Sequence, residues 1–295
     1  MNLYKPEHML GPVARLRTDP GFDAPHHQPL EITTQRDLAE RSEPRDLRAH
    51  LRQAKLSLLG QFSRPARQPS LRLFFCHYVF EDQVKAFAQK IRYLADRGTF
   101  LTEEEVLKVI RGAKSLNQPA FHLSFDDGFR NVVTWALPVL RDLDVPATFF
   151  VPTSIIGASP DIVRDYCMNT AGHPGVIEMA DWDDLGRAQE HGLSIASHTR
   201  THVRFSRISG SNSRMEDEIA GSKADIEARL GSPCRMISWP YGTHTAVDDR
   251  SLEFVRRAGY AACFSAIRGQ VVPRRTNPFS IPRHHFEAHW PMAQF

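Results

Sequence analysis

The chain has 295 residues, 41% hydrophobic and 24% charged, which is the balance of a soluble globular protein with room for one large α/β domain or two small ones. The net charge of +3 is too small to argue for nucleic acid. The excess lies in residues 1–70, with 11 Lys and Arg against 8 Asp and Glu, so the remainder offers no basic stripe for phosphates.

Residues 1–70 are rich in Pro, Arg and His and poor in aromatics. One stretch has helical period, with Leu47, Leu51, Ala54 and Leu58 between Pro44 and Gly60. The region reads as an N-terminal extension, partly helical or disordered, whose helix packs on the main domain or on a second subunit, which would make a homo-oligomer. From residue 71 to 295 strand and helix signals alternate. LRLFFC (71–76) reads as a strand and 83–97 as a helix stopped by Gly98. Thr102 to Glu105 forms a capping box ahead of Val106, Leu107 and Ile110. Strands follow at 120–125, 147–151, 193–197, 235–239, 260–264 and 279–283. Helices are expected near 130–143, over 182–191 behind an Asp181 cap, over 214–230 and near 246–258, and a long loop with Pro160, Gly172 and Pro174 precedes Asp181.

Repeated β-then-α units imply parallel strands with right-handed crossovers. Seven or eight units over about 220 residues favour a barrel, with an open doubly wound sheet as the alternative. Cys76, Cys167, Cys234 and Cys263 are widely spaced with no CxxC pair, which fits a reducing compartment. The first 20 residues have no apolar h-region, and no run reaches 18 apolar residues, so neither export nor a membrane span is expected and a cytoplasmic location is.

In a barrel, functional groups gather where strands end. Asp126-Asp127-Gly128 follows the 120–125 strand. Ser197-His198-Thr199-Arg200-Thr201-His202 follows 193–197, and Pro240-Tyr241-Gly242 follows 235–239. His77 follows the first strand, and Arg283, His284 and His285 end the last. His198 and His202 are four apart, a spacing that puts both on one face of a helical turn. One carboxylate and two imidazoles make a three-ligand site with open positions, the form of catalytic zinc. A cation there relieves the repulsion between Asp126 and Asp127, one acting as ligand and the other as a base for bound water. Two His and one carboxylate also suit non-haem iron, which has no use for the extra Asp126. Arg200 and Arg204 read as solvated, Trp182 as packing its helix, and Trp239 as either core or a sugar contact.

SFDDG, SHTRTH and SWPYG, in that order at strand ends and after CHYVF, resemble the polysaccharide deacetylases of the NodB-homology type, carbohydrate esterase family 4. The resemblance spans roughly residues 71–285. It implies a distorted (β/α) barrel of seven or eight parallel strands and metal-dependent removal of an N-acetyl group from an amino sugar or oligosaccharide. It implies Asp126 as general base, Asp127, His198 and His202 as ligands of Zn2+ (with Co2+ or Ni2+ as alternatives), and the Tyr241 backbone N–H at the oxyanion. The chain departs from the pattern in two places. Ser238 and Trp239 stand where many members carry an Arg, and Arg283 is taken to supply that guanidinium. The late Leu-x-His motif is not matched, so the acid falls to His285, with His284 or His77 as alternatives. The same site also suits a non-acetyl amide (formyl, imide or ureide) or an inactive metal- and sugar-binding domain.

Overall fold

The computed structural model describes residues 31–42 and 69–292. The expected helix at Leu47–Leu58 lies outside the described residues. The strands are β1 Leu71–Cys76, β2 Thr99–Phe100, β3 Ala120–Phe125, β4 Ala147–Val151, β5 Leu193–Ser197, β6 Met236–Ser238, β7 Ala262–Phe264 and β8 His284–His285. They form one parallel sheet in the order β7-β6-β5-β4-β3-β1-β8, with β2 paired to the start of β3. Ile281 then joins the chain entering β8 to β7, through Ile281 N–H to Cys263 O at 3.0 Å and Ser265 N–H to Ile281 O at 2.9 Å. The sheet therefore curls back on itself as a distorted (β/α) barrel.

The helices are α1 Gln35–Arg41, α2 Val84–Ala95, α3 Glu103–Ile110, α4 Leu137–Asp142, α5 Pro160–Asp165, α6 Trp182–Glu190, α7 Phe205–Ile208, α8 Asn212–Met215, α9 Gly221–Leu230 and α10 Asp249–Arg257. The Thr102–Glu105 capping box starts α3, and Asp181 caps α6 by accepting from Asp184 N–H.

Strand side chains alternate between two cores, as a period of two requires. Leu71, Leu73, Ala120, Phe150, Ala196 and Phe264 fill the barrel interior together with Val106 and Ile110 of α3, so α3 plugs the end where the strands begin. Phe74, Cys76, Leu123, Phe149, Ile195 and Ile237 face the helices instead. Burial on both faces explains why the strands read as continuous apolar runs.

Two features differ from the sequence reading. The last strand was expected at 279–283, but its ladder forms at His284–His285, because Pro278 and Pro282 have no N–H to donate. The loop before Asp181 contains α5, which buries none of its residues and so carries no apolar period. Residues 31–42 pack against the barrel. Ile32 N–H bonds Val176 O at 2.7 Å, Gln35 N–H bonds Asp82 Oδ1 at 3.0 Å, and Ile32 and Leu38 are buried.

Candidate metal centre

The two aspartates leave β3 differently. Asp126 continues the strand, its N–H bonding Cys76 O of β1 at 3.1 Å. Asp127 and Gly128 then take left-handed φ values of 77° and 81°. Asp tolerates that region and Gly enters it freely. A Cβ on Gly128 would sit 2.9 Å from Ile156 Cδ1, so the third position of the motif admits only glycine without a shift. The turn sends the neighbouring carboxylates to different partners.

Asp127 faces the loop after β5. Its Oδ1 lies 3.2 Å from His202 Nε2 and 3.5 Å from His198 Nε2, and all three side chains are buried. Tetrahedral ligands at zinc distances stand about 3.3 Å apart, so these spacings fit one first-row divalent cation. His198 Nδ1 lies 2.8 Å from Ser238 O, which places a proton on Nδ1 and turns Nε2 toward Asp127. Burial pushes His202 down, toward the neutral imidazole a metal needs. Burial pushes Asp127 up, but the two histidines outweigh it and hold the carboxyl well below its usual range.

The two histidines do not meet on a helix, as their spacing suggested. Residues 198–204 are an irregular loop in which Thr199 and His202 have φ values of 66° and 62°. Each such residue costs about 1–2 kcal/mol, and local hydrogen bonds hold the shape. Thr199 N–H bonds Ser197 Oγ at 3.1 Å, and His202 N–H bonds Thr199 Oγ1 at 2.9 Å. Arg200, expected in solvent, is instead ion-paired with Asp217 and with Asp225 at 2.8 Å.

Asp126 faces Arg283, which is fully buried. Nη1 donates to Oδ1 at 2.8 Å and Nη2 to Oδ2 at 2.7 Å, a bidentate pair. The other donors reach Ser124 Oγ at 3.0 Å, Ser238 Oγ at 2.6 Å and Ser265 O at 2.8 Å, so all five guanidinium N–H groups have acceptors. Ser238, at the end of β6, thus accepts from a guanidinium that comes from the segment entering β8. Burial pushes Asp126 up, and the Arg283 charge, followed by that of His198, outweighs it and holds the carboxyl below its ordinary value.

Tyr241 has φ 64°, its ring centroid 4.8 Å from that of His202 and its hydroxyl donating to Thr170 O at 3.1 Å. The Arg204 guanidinium stacks 3.7 Å over the Tyr241 ring rather than standing free in solvent. Trp239 is 1% exposed and belongs to the core.

The three histidines considered as acids separate. His284 Nε2 lies 3.1 Å from Gly269 O, in a recess with Arg72 and Arg268. His285 Nε2 lies 2.8 Å from Glu287 Oε1, and its ring centroid is 5.1 Å from that of His77. His77, His285 and Glu287 form one cluster, with their ring-nitrogen and carboxylate atoms within 4.8 Å of one another. Glu287, beyond the last recognised motif, was missed; only its place two residues after His285 in the strand period pointed to it. His173 was missed too. It lies in the loop before α6, with its ring 5.3 Å from that of Phe129, and burial pushes it toward the neutral form.

Comparison with known proteins places the chain by sequence and by fold. A family model described as polysaccharide deacetylase matches residues 113–263, just over half of the chain. The Bacillus subtilis (strain 168) protein YxkH, whose name places it among polysaccharide deacetylases, is 25% identical over 177 residues. The alignment covers 60% of this chain and 55% of that protein, so the chain spans about half the length of the curated relative it matches. Three solved structures share the fold. IcaB from Ammonifex degensii has a TM-score of 0.61 and 21% identity over 78% of this chain and 99% of that one. The Streptococcus pyogenes deacetylase PplD, in complex with acetate, has 0.59 and 18% over 77% and 95%. BC0361, a Bacillus cereus polysaccharide deacetylase, has 0.60 and 21% over 77% and 68%. On the family match, which contains Asp126, Asp127, His198, His202 and Tyr241, the chain belongs to the polysaccharide deacetylase family.

Proposed function

We propose that this chain hydrolyses the N-acetyl group of an amino sugar or oligosaccharide, releasing acetate and a free amine, with a divalent cation held by Asp127, His198 and His202. Zinc suits that donor set, and cobalt or nickel suits it next best. The observation that carries this reading is the pair of adjacent buried aspartates with separate partners, Asp127 on two imidazoles and Asp126 on a guanidinium. A binding site needs only the first of these, whereas hydrolysis needs a base beside it.

Bound at that site, the cation supplies Lewis acidity toward the amide carbonyl and lowers the pKa of a water. Asp126, kept ionised by Arg283, takes a proton from the attacking water. The Tyr241 N–H donates to the oxygen on which charge develops, a contribution of about 3–4 kcal/mol in comparable sites. His77, backed by His285 and Glu287, gives a proton to the departing amine as the C–N bond breaks.

The test is acetate release from chitooligosaccharides by metal-free protein after zinc, cobalt or nickel is restored. Asp126→Asn is the control. Turnover should fall by about 10^2- to 10^4-fold in the variant while metal binding persists. Metal-dependent acetate release that survives Asp126→Asn removes Asp126 from the mechanism. No release by wild type, with one metal still bound per chain, moves the substrate to another amide.

A further inference from the structure

The loop that brings His198 and His202 together is held from outside by one buried carboxylate. Glu218 is 6% exposed and lies in a π-helical turn, Glu216–Ala220, between α8 and α9. Single π turns inside helices recur at functional sites because the extra residue re-aims a side chain. Here the turn points Glu218 at the middle of the loop. Oε2 accepts from Arg200 N–H at 3.1 Å and from Thr201 N–H at 2.9 Å. Oε1 accepts from the Thr201 hydroxyl at 2.5 Å. The two backbone donors lie between the left-handed residues Thr199 and His202, and so within the span that joins the ligands His198 and His202.

The Arg200 side chain extends the same clamp. It pairs with Asp225 through two hydrogen bonds of 2.8 Å, and Asp225 also accepts from Thr153 Oγ1 at 2.7 Å. Thr153 N–H and Ser154 N–H in turn bond Thr199 O and Arg200 O at 3.1 and 3.0 Å. Gly221 makes room for this, since a Cβ there would lie 2.8 Å from the Arg200 guanidinium carbon. The loop is thus gripped on its donor side by Glu218 and on its acceptor side by the turn after β4.

We propose that Glu218 is a positioning residue for the metal centre, setting the separation of His198 and His202 without touching metal or substrate. The inference rests on the reading of Asp127, His198 and His202 as ligands. Without the Glu218 carboxylate, the Arg200 and Thr201 N–H groups lose their acceptor, and the loop loses the grip that holds it between its two left-handed residues.

The experiment is a Co2+ titration of metal-free protein, read by the visible d–d absorption and by competition with a chelator, which needs no substrate. Glu218→Gln keeps the shape and turns an acceptor into a donor. The Co2+ dissociation constant should rise roughly 10- to 100-fold, with a shifted d–d band and an unchanged far-UV circular dichroism spectrum. Thr201→Val removes one of the three donors from an exposed residue and should raise the constant by a few-fold; it serves if Glu218→Gln does not fold. A folded Glu218→Gln with wild-type affinity and band shape overturns the positioning role and leaves the ligand reading standing. Wild-type protein that binds no Co2+ overturns both.

Discussion

Asp126 shows how one side chain obtains its chemistry from its surroundings. A carboxyl that deep prefers to be neutral, and the Arg283 charge reverses the preference. Arg283→Lys keeps the charge but loses the planar fork, and Lys cannot reach Ser124, Ser238 and both Asp126 oxygens together. Its turnover should drop sharply, and near wild-type kcat would refute a role for the fork. Arg283→Met tests the sign. Without the guanidinium, burial dominates and the Asp126 pKa rises. A base works only when ionised, so the acidic limb of the kcat/KM profile should move to higher pH. An unmoved limb would show that another group governs it.

Elements carry these residues to their places, and their legibility in the sequence was uneven. Strands buried on both faces announced themselves as apolar runs, and their ends brought Asp126, Asp127, His198 and His202 into one list, whereas Tyr241 took its role from the family resemblance. The residues that support them were harder to read. Glu218 depends on a π turn, which leaves no mark in a 3.6-residue period. Arg200 looked solvated because its partners Asp217 and Asp225 lie 17 and 25 residues away. α5 was missed for want of a buried face. The turn after β6 makes an element-scale prediction. Gly242 has φ 59°, and a Cβ there would fall 2.2 Å from Ala266 Cβ and 2.4 Å from Ala266 N. Gly242→Ala should destabilise the fold by about 3 kcal/mol, from overpacking and left-handed strain together. A lowered urea midpoint at unchanged m would report it.

At the scale of the whole molecule, the proposed ligands would link metal to stability. A cation that binds only the folded chain stabilises it by about 4 kcal/mol at 1,000 times its dissociation constant. Zinc should therefore raise Tm in a concentration-dependent way, and Asp127→Asn should abolish the rise. A variant that kept the full rise would place the metal elsewhere. No helix among the described residues is long and apolar enough to cross a membrane.

The closing of the barrel has a consequence for how the protein is made. Asp126 and its guanidinium partner are 157 residues apart in the chain, and they meet only when the segment before β8 docks between β7 and β1. On a ribosome, β3 to β7 with all three metal-ligand candidates emerge before Arg283 does. Such a nascent chain holds Asp126 without the guanidinium that pairs with it in the finished protein. Long-range pairing of this kind forms late. Assembly of the Asp126–Arg283 pair is therefore tied to completion of the chain, and a product cut short before residue 283 would have the candidate metal ligands without the ion pair that sets the Asp126 charge.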